Sequence, residues 1–485
     1  MASDLVASWR ADGVPAAART AAGLRAAADA IVRRAAAAPE HVGWTMVTIV
    51  SEHWRGRISS AGAGRRLLLL PDCPCAPQAD VPGTAPVACG PGCGIATIWA
   101  AARDGGWAVE STRQAVSGIG SLLTGQYDGI LGVAPLADLE KAFAMLPAFA
   151  LPVAAVPCEP PRNAGSCEAS LAAAAIDVDW ALGLLGVGGG EVVPVGDYLP
   201  LFREAAQIFT PDGLATLAER VGAEPSFGLA AAESAPAAAG LVPLDAAAAL
   251  GGRFTTRGGK FLRPFVALAA FDAVVADLRE RPAAVKAAPP RDPVHARDAA
   301  RAAAVAIEVF HKASLVHDDI EDDDRIRYGR PTLHVECGVP SAINVGDYLL
   351  GVGYRIVSTL SGVDDATVRD VAAILASAHV RLARGQGAEL WWRDVGGRRL
   401  TVPESLEMYG LKTSPAFEAA VAIGIRIAGV DPGAAGAIDR YALHVGTGFQ
   451  VLNDLKDWAG DVENARRAAG DLLGGRPTLL WALAL

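Results

Sequence analysis

His311–His334, HKASLVHDDIEDDDRIRYGRPTLH, is the stretch whose reading decides the fold of the C-terminal half. Asp318, Asp319, Glu321, Asp322, Asp323 and Asp324 place six acidic side chains within seven positions. Ahead of them Ala302–Val316 is apolar and alanine-rich, a pattern that predicts a buried helix. Positions three, four and seven apart share a helix face, so His311, Leu315, Asp318 and Asp322 line up with Asp319 on the shoulder. Carboxylates crowded where a helix leaves the core repel one another unless divalent cations neutralise them. Arg325, Arg327 and Arg330 follow at once, as suits a site holding metal ions and a polyanion together. Taken alone, the stretch also reads as a solvated acidic loop; its neighbours in the sequence decide between the two.

Four more segments follow that pattern in order. RGGKFLRP (Arg257–Pro264) puts Lys260 and Arg263 three apart beside glycines that let backbone approach a phosphate. ARGQGAEL (Ala383–Leu390), MYGLKTSPAF (Met408–Phe417) and GFQVLNDLKDWAGD (Gly448–Asp461) come after the acidic stretch. Together they resemble the trans-prenyltransferases, or isoprenyl diphosphate synthases, through DDxxD, GxPTLH, GGKxxRP, GQ, KT and FQxxDDxxD. The resemblance implies an all-α prenyltransferase (isoprenoid synthase) bundle. It assigns Lys260, Arg263 and His311 to isopentenyl diphosphate, and Arg327 and Lys412 to the allylic diphosphate. Thr413 and Gln450 join the catalytic set with Asp319. Asp318, Asp322, Asp454 and Asp457 would hold about three Mg²⁺ ions, with Arg467 and Arg476 adding charge downstream. Two positions depart from the family pattern: Tyr328 replaces the second of two arginines, and Asn453 replaces the first aspartate of the second motif.

The activity so implied is condensation of isopentenyl diphosphate with an allylic diphosphate, releasing pyrophosphate. Ala313 and Ser314 are small where short-chain members carry Phe or Tyr, which points to products of C20 or longer, with Phe310 as the floor. A class I terpene cyclase is an alternative that GGKFLRP argues against. A degenerate, non-catalytic fold with a regulatory or metal-sensing N-terminal domain is another, favoured by Asn453, Tyr328 and the ending TLLWALAL. That ending leads us to expect a C-terminally short domain over 241–485. A homodimer is expected.

A length of 485 residues calls for more than one domain, and a net charge of −10 argues against a general nucleic-acid binder. No apolar run reaches the ~18 residues of a membrane span, and no secretory signal is visible, so a cytoplasmic protein is expected. Residues 1–40 read as a leader helix, 41–182 as a cysteine-rich α/β domain and 183–240 as a linker with helical segments. In the second of these, Arg65–Pro71, Trp107–Ser111, Asp128–Ala134 and Pro152–Pro157 alternate as strands with helices, which predicts a Rossmann-like parallel sheet. Cys73, Cys75, Cys89, Cys93, Cys158 and Cys167 all fall there, a clustering consistent with zinc or an iron–sulfur cluster, or with small buried thiols. LLLLPDC, CGPGC, GVAPL and GSCEAS…IDVD resemble the bacterial domain of unknown function 116, with Pro135 where that family has a cysteine. GVGGG (186–190) and SGIGS (117–121) form no dinucleotide fingerprint, so no nucleotide cofactor is expected.

Overall fold

The computed structural model describes residues 2–71, 94–112, 115–145, 149–158, 176–186, 198–229, 242–280, 290, 292–394, 400–431, 436–459 and 470–484. The chain divides into two compact units, Met1–Arg203 and Glu204–Leu485.

In the first unit, α1 (Ala2–Asp12), α2 (Ala21–Arg34) and α3 (Val42–Ser59) precede the sheet. Thr20 caps α2 by accepting the Gly23 N–H, and Leu24, Ala28 and Val32 bury one stripe of it. Next come β1 (Arg66–Leu70), α4 (Gly94–Asp104), β2 (Ala108–Ser111), α5 (Ala115–Leu123), β3 (Gly129–Pro135), α6 (Leu136–Met145), β4 (Val153–Cys158) and α7 (Val178–Leu185). The strands run parallel in the order β2-β1-β3-β4. An unbroken leucine run in β1 follows from this, because a parallel strand is covered on both faces. Leu68 and Leu70 pack with Trp54, Ile98 and Val133 on one side, whereas Leu67 and Leu69 pack with Leu122, Tyr127 and Ile130 on the other. Each strand expected from the sequence is present within a residue or two of its bounds.

Of the clustered cysteines, Cys158 lies among the described residues; Cys73, Cys75, Cys89, Cys93 and Cys167 lie outside them. Cys158 ends β4 opposite Pro135, and burial pushes its thiol up to about 11, so it is a protonated, poorly reactive thiol.

Asp128, just before β3, accepts from Arg65 Nε at 2.5 Å and Nη2 at 2.8 Å, and from Arg203 Nη1 at 2.5 Å. The Arg65 hydrogen bond leads in drawing its carboxyl down to about 2 from the ordinary 3.8. A depressed carboxylate stabilises the fold above the unfolded value and loses that contribution as pH falls through the folded one. Asp128→Asn is therefore expected to cost ~1–2 kcal/mol at pH 7, discounted because Arg65 is half exposed. Urea unfolding should show the gap between the two proteins closing between about pH 4 and pH 2.

Among the described residues the second unit is helical apart from one hairpin. The division at Arg203/Glu204 falls in α8 (Leu199–Gln207), followed by α9 (Pro211–Val221), α10 (Ala246–Thr256), α11 (Leu262–Glu280) and α12 (Pro293–Glu321). A hairpin, β5 (Ile326–Arg327) and β6 (Arg330–Pro331), leads to α13 (Leu333–Cys337), α14 (Val339–Ser358), α15 (Asp365–Asp394) and α16 (Val402–Ile427). Then come α17 (Gly436–Ala459) and the short α18 (Gly470–Leu473) and α19 (Leu479–Ala484).

Part of the stretch read as a linker is built into this unit. Arg220 of α9 bonds Asp298 of α12 at 2.7 Å, and Tyr348 of α14 donates to the Gly228 carbonyl at 2.6 Å. Asp292 caps α12 by accepting the Val294 and His295 N–H groups, with Pro293 at the first turn. Alanines along α12 make it slim, so α11, α14 and α16 pack closely around it. Thr401 and Glu404 form a capping box that starts α16. At Gly385, α15 lies against α16 so closely that an added Cβ would sit 2.5 Å from the Lys412 nitrogen.

Candidate active site

The acidic cluster forms where α12 ends. Asp322 caps the helix and Asp323 takes a left-handed φ of 51°, turning the chain into the hairpin. Positive φ at Tyr328 (53°) and Gly329 (70°) reverses the chain there and brings Arg327 back under α12. Arg327 Nε donates to Asp319 Oδ1 at 2.5 Å. Asp319 is 1% exposed, and burial holds its carboxyl up at about 6 against the pull of Arg327. Asp318 is pushed further, to about 7, by burial opposed by Lys412 and reinforced by Asp322 and Glu321. Arg476 Nη2 stands 3.4 Å from Asp322 Oδ2, and Arg393 Nη1 3.5 Å from its Oδ1.

The later motifs meet the same cluster. Lys412 bonds Glu389 of α15 at 2.7 Å, and its charge also acts on Asp318 and Asp322. Gln386, one turn before Glu389, donates to Glu321 at 2.7 Å. Thr413 donates to Gln450 at 3.2 Å. On α17, Gln450, Asp454 and Asp457 share one side. The Tyr409 hydroxyl donates to Asp454 and accepts the Leu479 N–H at 2.8 Å, tying the start of α19 to the second acidic motif. Asp457 accepts the Asp471 N–H at 2.8 Å, and Asp471 in turn accepts from Arg476 at 2.8 Å. Asn453 is exposed, and Arg467 lies outside the described residues. Glu389 acts on both Asp322 and Asp454, so the two acidic motifs border one charged centre.

A second basic region adjoins it. Positive φ at Gly258 (57°) and Gly259 (126°) shapes the turn that carries Lys260 and leads into Arg263 at the start of α11. Exposed Lys260 has its Nζ 5.8 Å from the Phe449 ring centre, and the guanidinium of half-buried Arg263 lies 5.1 Å from that of Phe417. His311 is held well below its ordinary value by burial, then by Arg263, Lys312 and Arg327, which leaves a neutral imidazole. Lys312 is fully buried and donates to the carbonyls of Arg257 and Gly258 at 3.0 and 2.7 Å.

Lys312, Tyr409, Glu389 and Arg393 were not singled out from the sequence. Glu308 and Lys312 stand four apart on a buried helix, the spacing of an ion pair, and that was the available signal. Tyr409 and Glu389 sit inside the KT and GQ segments with no signal of their own.

Oxygen donors and excess carboxylate suit a hard divalent cation. Asp319 Oδ2 and Asp322 Oδ1 are buried without a hydrogen-bond partner. Among the described residues no three His, Cys, Asp or Glu side chains form a closed metal cage. An open arrangement fits Mg²⁺ held by one or two carboxylates together with a diphosphate and water.

Residues 248–485 match the family model of the polyprenyl synthetases. Within this matched region the chain is 33% identical over 233 residues to the short chain isoprenyl diphosphate synthase of Methanothermobacter thermautotrophicus, covering 47% of this chain and 64% of that protein. It is 34% identical over 227 residues to the geranylgeranyl diphosphate synthase of Methanosarcina mazei, covering 46% and 62%. Among solved structures, geranylgeranyl pyrophosphate synthetase from Pyrococcus horikoshii Ot3 aligns at 26% identity over 59% of this chain and 75% of that one, with a TM-score of 0.45. The chain spans less than two thirds of the length of these curated relatives.

Proposed function

We propose that the polyprenyl synthetase region is a Mg²⁺-dependent prenyltransferase. It condenses isopentenyl diphosphate with an allylic diphosphate, makes a polyprenyl diphosphate of C20 or longer, and releases pyrophosphate. The observation that carries this is the meeting of Asp318, Asp322, Lys412 and Arg476 at one centre, with Lys260, Arg263 and neutral His311 on an adjoining turn and helix. The relatives, a geranylgeranyl diphosphate synthase among them, favour the same chemistry.

Mg²⁺ bound at Asp318 and Asp322 would supply Lewis-acid stabilisation of the departing pyrophosphate. Arg327, Lys412 and Arg476 place fixed positive charge against the allylic diphosphate as its C–O bond breaks. Thr413 and Gln450 line the path of the allylic cation. Lys260, Arg263 and His311 hold the isopentenyl diphosphate so that its alkene attacks that cation. The buried alanine-rich surface of α12 excludes water that would quench it.

Asp318, Ser314 and Phe310 lie at four-residue spacing along α12, so Phe310 is ~12 Å deeper than Asp318. Phe310 packs edge-on to Tyr354 and His379, which makes it the proposed floor. Ala313 is wholly buried while Ser314 is exposed, so Ser314 is the side chain an elongating product would pass. Incubation with Mg²⁺, isopentenyl diphosphate and each allylic primer should give C20 or longer products, and Ser314→Phe should shorten them. No condensation with any primer would sink the transferase reading; unchanged product length would remove Ser314 from it.

The second reading, a non-catalytic prenyltransferase fold, is favoured by exposed Asn453 and by the engagement of Asp454 with Tyr409. The same incubation decides it.

The finer architecture we propose is an isoprenoid synthase bundle after a Rossmann-like domain, supported for the latter by its β2-β1-β3-β4 parallel order. Zinc or an iron–sulfur cluster on the cysteines of that domain remains our proposal, tested by metal analysis of the isolated protein. A homodimer and a cytoplasmic location complete it; no helix among the described residues is long and apolar enough to cross a membrane.

A further inference from the structure

Lys312 is a charged side chain with no solvent exposure, and no step of prenyl transfer uses it. A buried ammonium is costly unless all three of its donors are met. Here two go to the Arg257 and Gly258 carbonyls, at 3.0 and 2.7 Å. The remaining side faces aromatic rings, with Tyr328 at 4.5 Å, Phe254 at 5.6 Å and Phe261 at 5.8 Å from Nζ to ring centre. Glu308, one turn earlier on α12 and 2% exposed, balances the charge.

Both carbonyls belong to the turn that delivers Lys260 and Arg263. Its backbone takes positive φ at Gly258 (57°) and Gly259 (126°), which glycine adopts freely, and at Phe261 (47°), where the side chain makes that conformation strained. Strained backbone persists only where the surroundings hold it. Tyr328 belongs to the same packed unit, since a Cβ on Gly258 would stand 2.9 Å from the Tyr328 ring. An arginine at 328 would set a second cation against an ammonium already out of water, whereas a ring face attracts it.

We propose that Lys312 is a positioning residue that clamps the Arg257–Gly258 carbonyls, holding the turn in the shape that aims Lys260 and Arg263 at one diphosphate, with Tyr328 as the aromatic cover of its ammonium. The ligand in this proposal rests on the prenyl-transfer reading; the clamp does not, and two readouts separate them.

In the full-length Lys312→Met variant without substrate, hydrogen–deuterium exchange at residues 258–263 should quicken by about tenfold or more, with α15 and α16 unchanged. In steady state, KM for isopentenyl diphosphate should rise about tenfold or more, while kcat and KM for the allylic diphosphate stay within about twofold. Tyr328→Arg alone should raise the same KM, and by clearly less in the Lys312→Met background, a coupling that residues in contact display. Unchanged exchange over 258–263, an equal loss in kcat and both KM values, or strict additivity of the two substitutions would overturn the clamp. If the wild-type protein transfers no prenyl group, exchange alone decides the clamp and only the functional reading falls. If Lys312→Met does not fold, Glu308→Gln/Lys312→Met removes the stranded carboxylate and takes the same measurements. Failure of both to fold would mark Lys312 as a core ion-pair partner and end the proposal.

Discussion

Asp318→Asn is expected to cut the proposed prenyl transfer by about a thousandfold or more while making the metal-free protein more stable above pH 7. The two effects share one cause. Asp318 is half-buried at the end of α12, and loss of solvation leads in pushing its carboxyl up to about 7 from 3.8, so ionising it opposes the fold. A carboxyl raised in the folded state contributes most below its unfolded value and loses that contribution as pH rises through the folded one. The penalty is therefore absent near pH 4 and complete above about pH 7. Asparagine keeps the shape and removes the charge, so with chelator present at pH 8 the variant should gain ~2–4 kcal/mol and show no gain near pH 4. Turnover moves the other way because the proposed reaction loses a carboxylate that would hold the cation. Urea melts at the two pH values and kcat in Mg²⁺ check both halves. A variant that is inactive yet no more stable at pH 8 would mean that Asp318 is not under electrostatic strain.

Gly385→Ala should damage both the fold and the site, through backbone alone. An added Cβ would lie 2.5 Å from the Lys412 nitrogen and 2.6 Å from the Leu411 carbonyl carbon, neither of which is the end of a flexible chain. Relief requires α15 and α16 to move apart. Overpacking of this kind costs ~3 kcal/mol, at the upper end of the usual range, which corresponds to a Tm lower by about 6–10 °C for a unit of this size. Lys412 and its partner Glu389 sit on the two helices being separated, so kcat should fall by about tenfold or more as well. Gly387→Ala, where a Cβ meets open space, is the control and should change Tm by less than about 2 °C. Equal melting of the two variants would remove the close-approach explanation of this glycine.

The acidic helix end, the paired cations of RGGKFLRP and the order of the KT and second acidic motifs were legible in the sequence because each is a local chemical pattern. Strand positions in the first unit were legible for a similar reason, since an unbroken apolar run such as Leu67–Leu70 fits a strand covered on both faces. Less legible was the stretch read as a linker, where Arg220 and the turn near Gly228 are joined to α12 and α14. Composition there resembles a tether, and the contacts that embed it come from residues far along the chain.

Local spacing also determined which carboxylates share a side of α12 and of α17, since helix periodicity is a property of the backbone. What those carboxylates meet was decided by tertiary structure: Arg327 at Asp319, Tyr409 and the Leu479 N–H at Asp454, and the Asp471 N–H at Asp457. The same holds for Lys312, whose ammonium is tolerable only because a distant turn presents two carbonyls to it. Burial and partnership set the charge state of an ionisable side chain, and both are supplied by segments that only folding brings together.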